Sequence, residues 1–241
     1  MPDAPAPYRD PHEYDHRHSD VSGGWLRAAV FGAMDGLVTN IALIAGIGAA
    51  GASRGTIILT GLAGLVAGAF SMALGEYTSV TTQNEQVDKE AAVERGAQVR
   101  NPQGEMHELS GMFQEMGMSA QTAERAAAEV HDNPERAVRV HITQELGVDP
   151  ESKPSPWIAA VSSFVMFSLG AVIPLLSFLF GSSQLWLGLT VGGVGLLIAG
   201  AFAAYFTGKA WWRGAIRQLL FGAIAVAATY LVGHLLGVQA G

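Results

Sequence analysis

Three residues fall in apolar stretches that would ordinarily exclude them. Asp35 sits within AVFGAMDGLVTN, and Met72 and Glu76 sit within AGAFSMALGEYTS. A carboxylate in a membrane-spanning helix costs about 2.5–3.5 kcal/mol on insertion scales, so it marks an ion pathway or a partner. Met72 and Glu76 are four residues apart, which puts them one turn apart on the same helix face. If the first helix enters lipid near Ala28, Asp35 lies roughly 10 Å deep at about 1.5 Å per residue. If the second leaves on that side near Thr78, Met72 lies roughly 9 Å deep by the same rise. A carboxylate and a thioether at one level form a donor pair for a divalent first-row metal. The carboxylate supplies charge, and sulfur favours iron, copper or zinc over magnesium or calcium.

The elements that must position these groups are long apolar helices. Five stretches, 28–52, 56–78, 157–180, 185–206 and 215–236, are each long enough to cross a hydrocarbon core about 30 Å thick. The expected fold is therefore an all-α membrane protein with five transmembrane helices. Its organisation reads as a His-rich tail over 1–24, helices 1 and 2 over 25–78, an acidic helical domain over 79–153, and helices 3 to 5 over 154–241. Glycines at 32 and 36, and again at 64 and 68, have the small-xxx-small spacing that lets membrane helices approach closely.

Charge predicts orientation. Lys209, Arg213 and Arg217 cluster around the fourth connection, and Arg9, Arg17 and Arg27 precede the first span. The positive-inside tendency then places the N-terminus, the insert and the fourth connection in the cytoplasm, with the C-terminus outside. No cleavable signal is evident at the N-terminus. The alanine- and glycine-rich composition points to a bacterial cytoplasmic membrane. With no cysteine, thiolate ligands and iron–sulfur clusters are excluded. Residues 79–153 hold fourteen Asp/Glu against seven Lys/Arg, which accounts for the whole formal charge of −7. That acidity argues against nucleic acid and for a cationic partner.

Within the insert, the second span is expected to continue as one long helix that stops before Asn101-Pro102. Asn101, Ser119 and Asn133 are the expected caps of three further helices, with Gly117 and Gly147 as stops. Ligand-type residues follow the helical repeat: Glu105, Glu108, Met112 and Glu115 form one stripe, while Glu90–Glu94 and His141–Glu145 are pairs one turn apart. Such donors on converging helices resemble bundle-core metal sites; the alternative is a solvated acidic face with Met112 in the core. In the tail, His12, His16 and His18 either bind metal weakly or belong to a solvated segment.

The runs RAAVFGAMDGLVTNIALIAG, AGAFSMALGEYTSVTTQNE and ELGVDPESKPSPWIAAVSSFVMFSLGAVIPLL, taken in that order, resemble the vacuolar iron transporter family. The resemblance covers nearly the whole chain outside the tail. It implies a homodimer with the path at the subunit interface and a cytoplasmic metal-binding domain. The implied activity is export of Fe²⁺, sometimes Mn²⁺ or related ions such as Co²⁺ and Zn²⁺, in exchange for protons. It assigns Asp35 and Met72 as ligands in the membrane, Glu76 as the glutamate at the cytoplasmic end, and Glu94, Glu105, Glu108 and Glu145 as ligands in the insert. Two positions depart from the pattern. Ala97 stands where glutamate is often found, and His141 with Ile142 stand where methionines can occur, so His141 is the expected substitute ligand. A membrane scaffold with an acidic docking insert and a metal-gated cation channel are the competing readings. No nucleophile–base pair points to an enzyme.

Overall fold

The computed structural model describes residues 24–239, with side chains through 236. The tail histidines His12, His16 and His18 lie outside the described residues. Among those described there are eight helices and no strand: α1 (Trp25–Ala49), α2 (Arg54–Arg100), α3 (Pro102–Glu115), α4 (Ala120–His131), α5 (Pro134–Leu146), α6 (Pro156–Leu179), α7 (Leu185–Phe206) and α8 (Trp211–Gln239). Five of them, α1, α2, α6, α7 and α8, are long and apolar enough to cross a membrane. Each contains or closely overlaps an expected span.

Local chemistry accounts for the boundaries. Ser53, Asn101, Ser119, Asn133 and Ser155 each accept a hydrogen bond from a backbone N–H in the first turn of the helix they precede. These caps satisfy donors that a helix start leaves free. Pro102, Pro134 and Pro156 follow at the first helical position, where a missing N–H costs nothing. Gly147, at φ 67°, closes α5 in the left-handed region that glycine enters freely.

With 47 residues, α2 is about 70 Å long at about 1.5 Å per residue, more than twice the hydrocarbon thickness. Its first half packs on α1 and α6, and its second half carries α3 and α5. This single rod joins the apolar bundle to the small helical unit. Asn84 Nδ2 donates to the Pro154 carbonyl at 3.0 Å, and Lys153 pairs with Asp88, so the chain returning to α6 is tied against the same rod.

The bundle is organised around α1, which touches α2, α6, α7 and α8. Its most extensive contact is with α6. A Cβ added at Gly36 would lie 2.2 Å from the Phe167 carbonyl oxygen, and one at Gly170 would lie 2.2 Å from the Ala33 carbonyl oxygen. Only the missing side chains let these backbones meet. Leu37, Ile41 and Leu196 fill the seam with α7, while Ile44, Ile57, Leu175 and Phe178 close the far end of the bundle. Pro174 interrupts the hydrogen-bond ladder of α6. Beside the break, buried Asn40 donates from Nδ2 to the Ala171 carbonyl at 2.5 Å. Arg54 Nε donates to the Phe178 carbonyl at 2.7 Å, satisfying the end of the same helix.

Gly36→Ala is expected to destabilise the protein by about 1–3 kcal/mol through overpacking against α6. Gly75→Ala, where a Cβ would meet nothing within 4 Å, serves as the control and should be neutral or slightly stabilising. Thermal unfolding of both variants in detergent checks this, and equal melting temperatures would refute the close-packing account.

Candidate metal sites

Within the apolar bundle, the α1–α2 seam gathers the first group of predicted residues. Arg27 Nη2 lies 2.8 Å from Glu76 Oε2. The Glu76 side chain is only 9% exposed whereas that of Arg27 is 65% exposed, so an exposed guanidinium pairs with a nearly enclosed carboxylate. Met72 and Glu76 wall one cavity of about 220 Å³ with Phe31, Gly75 and Ser79. Met72 also packs against the Ala69, Phe167 and Ala171 cluster. Asp35 lies one turn beyond Phe31 on α1 and is half-buried. Its Oδ1 accepts a hydrogen bond from Thr39 Oγ1 at 3.2 Å. The structure thus unites Met72 and Glu76 in one cavity and sets Asp35 one turn further along α1, outside that lining.

The second group converges from α2, α3 and α5. Glu94, Glu105 and His141 each bring one ligand-type atom within 4.8 Å of the others. His141 is fully buried, and its Nδ1 lies 3.4 Å from Glu94 Oε1 and 3.2 Å from Glu145 Oε1. Gln98 Nε2 donates to Glu94 Oε1 at 3.2 Å and steadies that carboxylate. Burial, then the charges of Glu94 and Glu108, hold the Glu105 carboxyl above the usual carboxylate range; His141 and His131 oppose the shift. Two or three carboxylates and an imidazole around one point make a site for a divalent first-row ion, with hard oxygen and borderline nitrogen together.

The remaining predicted donors divide. Glu145 belongs to the cluster through His141. Glu108 is exposed and acts on Glu105 through its charge. Met112 packs against the Leu109, Phe113, Ala123 and Ala127 core, and Glu115 is exposed at the end of α3. Glu90 lines a separate groove with Val87 and Leu146.

Two residues escaped the sequence reading. Arg27 counted only as an orienting charge, although its place one turn before the span hinted at a partner. His131 carried no signal, because Asn133-Pro134 separates the helix that ends at His131 from the one that bears His141, and no single-helix repeat relates the two. Folding brings their rings to 5.3 Å between centroids, edge to face.

Residues 26–234 match the VIT family. The chain belongs to that family. It is 37% identical over 223 residues to a vacuolar iron transporter of Acanthamoeba castellanii, covering 91% of this chain and 82% of the relative. It is also 34% identical to vacuolar iron transporter homolog 1 of Oryza sativa subsp. japonica, over 89% of this chain and 75% of the relative. For vacuolar iron transporter homolog 3 of Arabidopsis thaliana the identity is 33%, over 88% and 84%. Membership in the VIT family supports metal transport by a multi-pass membrane protein, with iron as the substrate named for the relatives.

The raised Glu105 carboxyl gives a signed expectation. An acid whose folded-state value is raised binds more protons folded than unfolded, so stability falls as pH rises through the folded value. Glu105→Gln should therefore melt higher than the parent at neutral pH in chelator, and the gap should close below the ordinary glutamate range. Thermal unfolding of metal-free protein across pH measures it; a variant that melts lower at neutral pH would contradict the assignment.

Proposed function

We propose that this VIT family protein exports Fe²⁺ from the cytoplasm in exchange for protons, as a homodimer, with Mn²⁺, Co²⁺ and Zn²⁺ as further candidate substrates. The observation that carries this reading is the shared cavity of Met72 and Glu76 on α2. The helix that bears it leaves Leu59, Leu62, Val66, Phe70 and Leu74 exposed, an apolar face suited to lipid or to a second subunit. Two copies meeting there would double the donor set, with Asp35 and Met72 of each chain around one axis.

In this reading the helical unit of α3–α5 faces the cytoplasm and the membrane is a bacterial cytoplasmic one. Glu94, Glu105, Glu108, Glu145 and His141 gather the ion near the mouth, with Met112 and Glu115 on the same α3 stripe. Glu76 receives it. In the empty protein Arg27 balances the Glu76 charge, and an arriving cation takes over that role. The ion then moves to Asp35 and Met72. Asp35 binds a cation only when ionised. After release it takes up a proton, so the empty site returns without a bare charge in lipid. Proton and metal thus compete for one group, and that competition couples their fluxes. A channel would share the ligands but would conduct without a proton gradient, whereas a scaffold would not respond to metal.

In proteoliposomes, Fe²⁺ flux should rise with an imposed pH difference, and Asp35→Ala should abolish it while leaving the protein inserted. Flux indifferent to the pH difference favours the channel, and undiminished flux by the variant removes Asp35 from the path.

A further inference from the structure

Of the five apolar spans, α8 is the least covered by the rest of the chain, packing on α7 and α1 with little of its surface buried. Arg213 and Arg217 lie one turn apart near its start, and both are exposed. Leu220, Phe221 and Ile224 continue the same face at the helical repeat and are likewise exposed. One face of α8 thus carries two cations at its start and hydrocarbon beyond them.

Depth gives that order a meaning. Between 218 and 236 the chain holds no Asp, Glu, Lys or Arg. That run rises roughly 28 Å at about 1.5 Å per residue, nearly the whole thickness of a hydrocarbon core. Arg217 therefore stands at the edge of the hydrocarbon, and Arg213 one turn outside it, at the level of lipid headgroups. Trp211 and Trp212 are exposed beside them, as interfacial aromatics are. Arg213 Cζ lies over the Trp212 ring, 5.2 Å from its centre. No acidic residue follows Glu151. The ion pairs among the described residues use Arg27, Arg95, Arg139, His141 and Lys153 instead. The counter-charge for Arg213 and Arg217 must then come from outside the chain, and phosphate accepts two parallel N–H bonds from a guanidinium.

Charge also selects the occupant. A second copy of the chain meeting on this face would set four guanidiniums at one level around a two-fold axis, which like-charge repulsion opposes. A zwitterionic lipid offers phosphate but brings a cation of its own. We propose that Arg213 and Arg217 bind the headgroup of an anionic phospholipid, whose acyl chain lies along Leu220, Phe221 and Ile224. Two spans, α6 and α7, separate the helical unit from α8, so α8 begins on the side of that unit and the lipid belongs to the leaflet there. None of the residues placed on the ion path takes part, and the inference stands apart from the transport reading.

The test is thermal unfolding of the full-length protein in non-ionic detergent, titrated with phosphatidylglycerol or with phosphatidylcholine of the same chains. Phosphatidylglycerol should raise the melting temperature and saturate at a mole fraction at least about tenfold lower than phosphatidylcholine. Inorganic phosphate should not reproduce the rise. A basic residue at an anionic headgroup strengthens binding about fivefold, so Arg213→Gln with Arg217→Gln should move the half-saturating fraction of phosphatidylglycerol upward about thirtyfold. The phosphatidylcholine response should stay as in the parent. Arg100→Gln with Arg125→Gln removes the same charge from exposed positions on α2 and α4 and should move neither titration. Equal responses of the parent to the two lipids overturn the proposal before any variant is made. An unmoved titration in the first double variant does so too, as does an equal shift in the second, which would reduce the effect to overall charge. A rise reproduced by inorganic phosphate would make the pair a phosphate site and remove the lipid.

Discussion

An ionised carboxylate cannot rest alone in an apolar bundle, and the arrangement of α1 and α2 follows from that constraint. Glu76 is nearly enclosed, and the guanidinium opposite it is largely exposed. The pairing holds the start of α1 against the middle of α2. Because Glu76 and Met72 wall one cavity, the same register decides which side chains line it.

Close helix contact makes the constraint workable. Gly36 and Gly170 let α1 and α6 meet backbone to backbone, and buried Asn40 covers the carbonyl beside Pro174. The polar groups of the bundle are thereby kept among helices rather than in lipid. A larger residue at Gly36 would push α1 away from α6 and shift Asp35, its immediate neighbour in the chain.

The helical unit treats charge differently. Glu94, Glu105 and Glu145 crowd around His141 without a lysine or arginine among the residues that define the cluster. Glu105 bears the consequence, since its carboxyl is harder to ionise than usual. Elsewhere in the unit, acids are neutralised in the ordinary way, as where Arg95 holds Glu135 or Arg139 holds Asp149.

Much of this was legible in the residues alone, because hydropathy, caps and helical spacing are local properties. The five spans, the continuation of α2 to Arg100, the stops at Gly117 and Gly147, and the pairing of His141 with Glu145 all follow from neighbours within a few positions. Family membership was legible in three motifs and their order. Tertiary structure decided which stripe members converge: Glu105 turns inward to meet Glu94 and His141, while Glu115, on the same α3 face, ends exposed. It alone joined Arg27 to Glu76 across 49 positions, and His131 to His141 across a turn between two helices. Sequence periodicity reports on one helix at a time, whereas a binding site is made where several cross, and only packing sets where they cross.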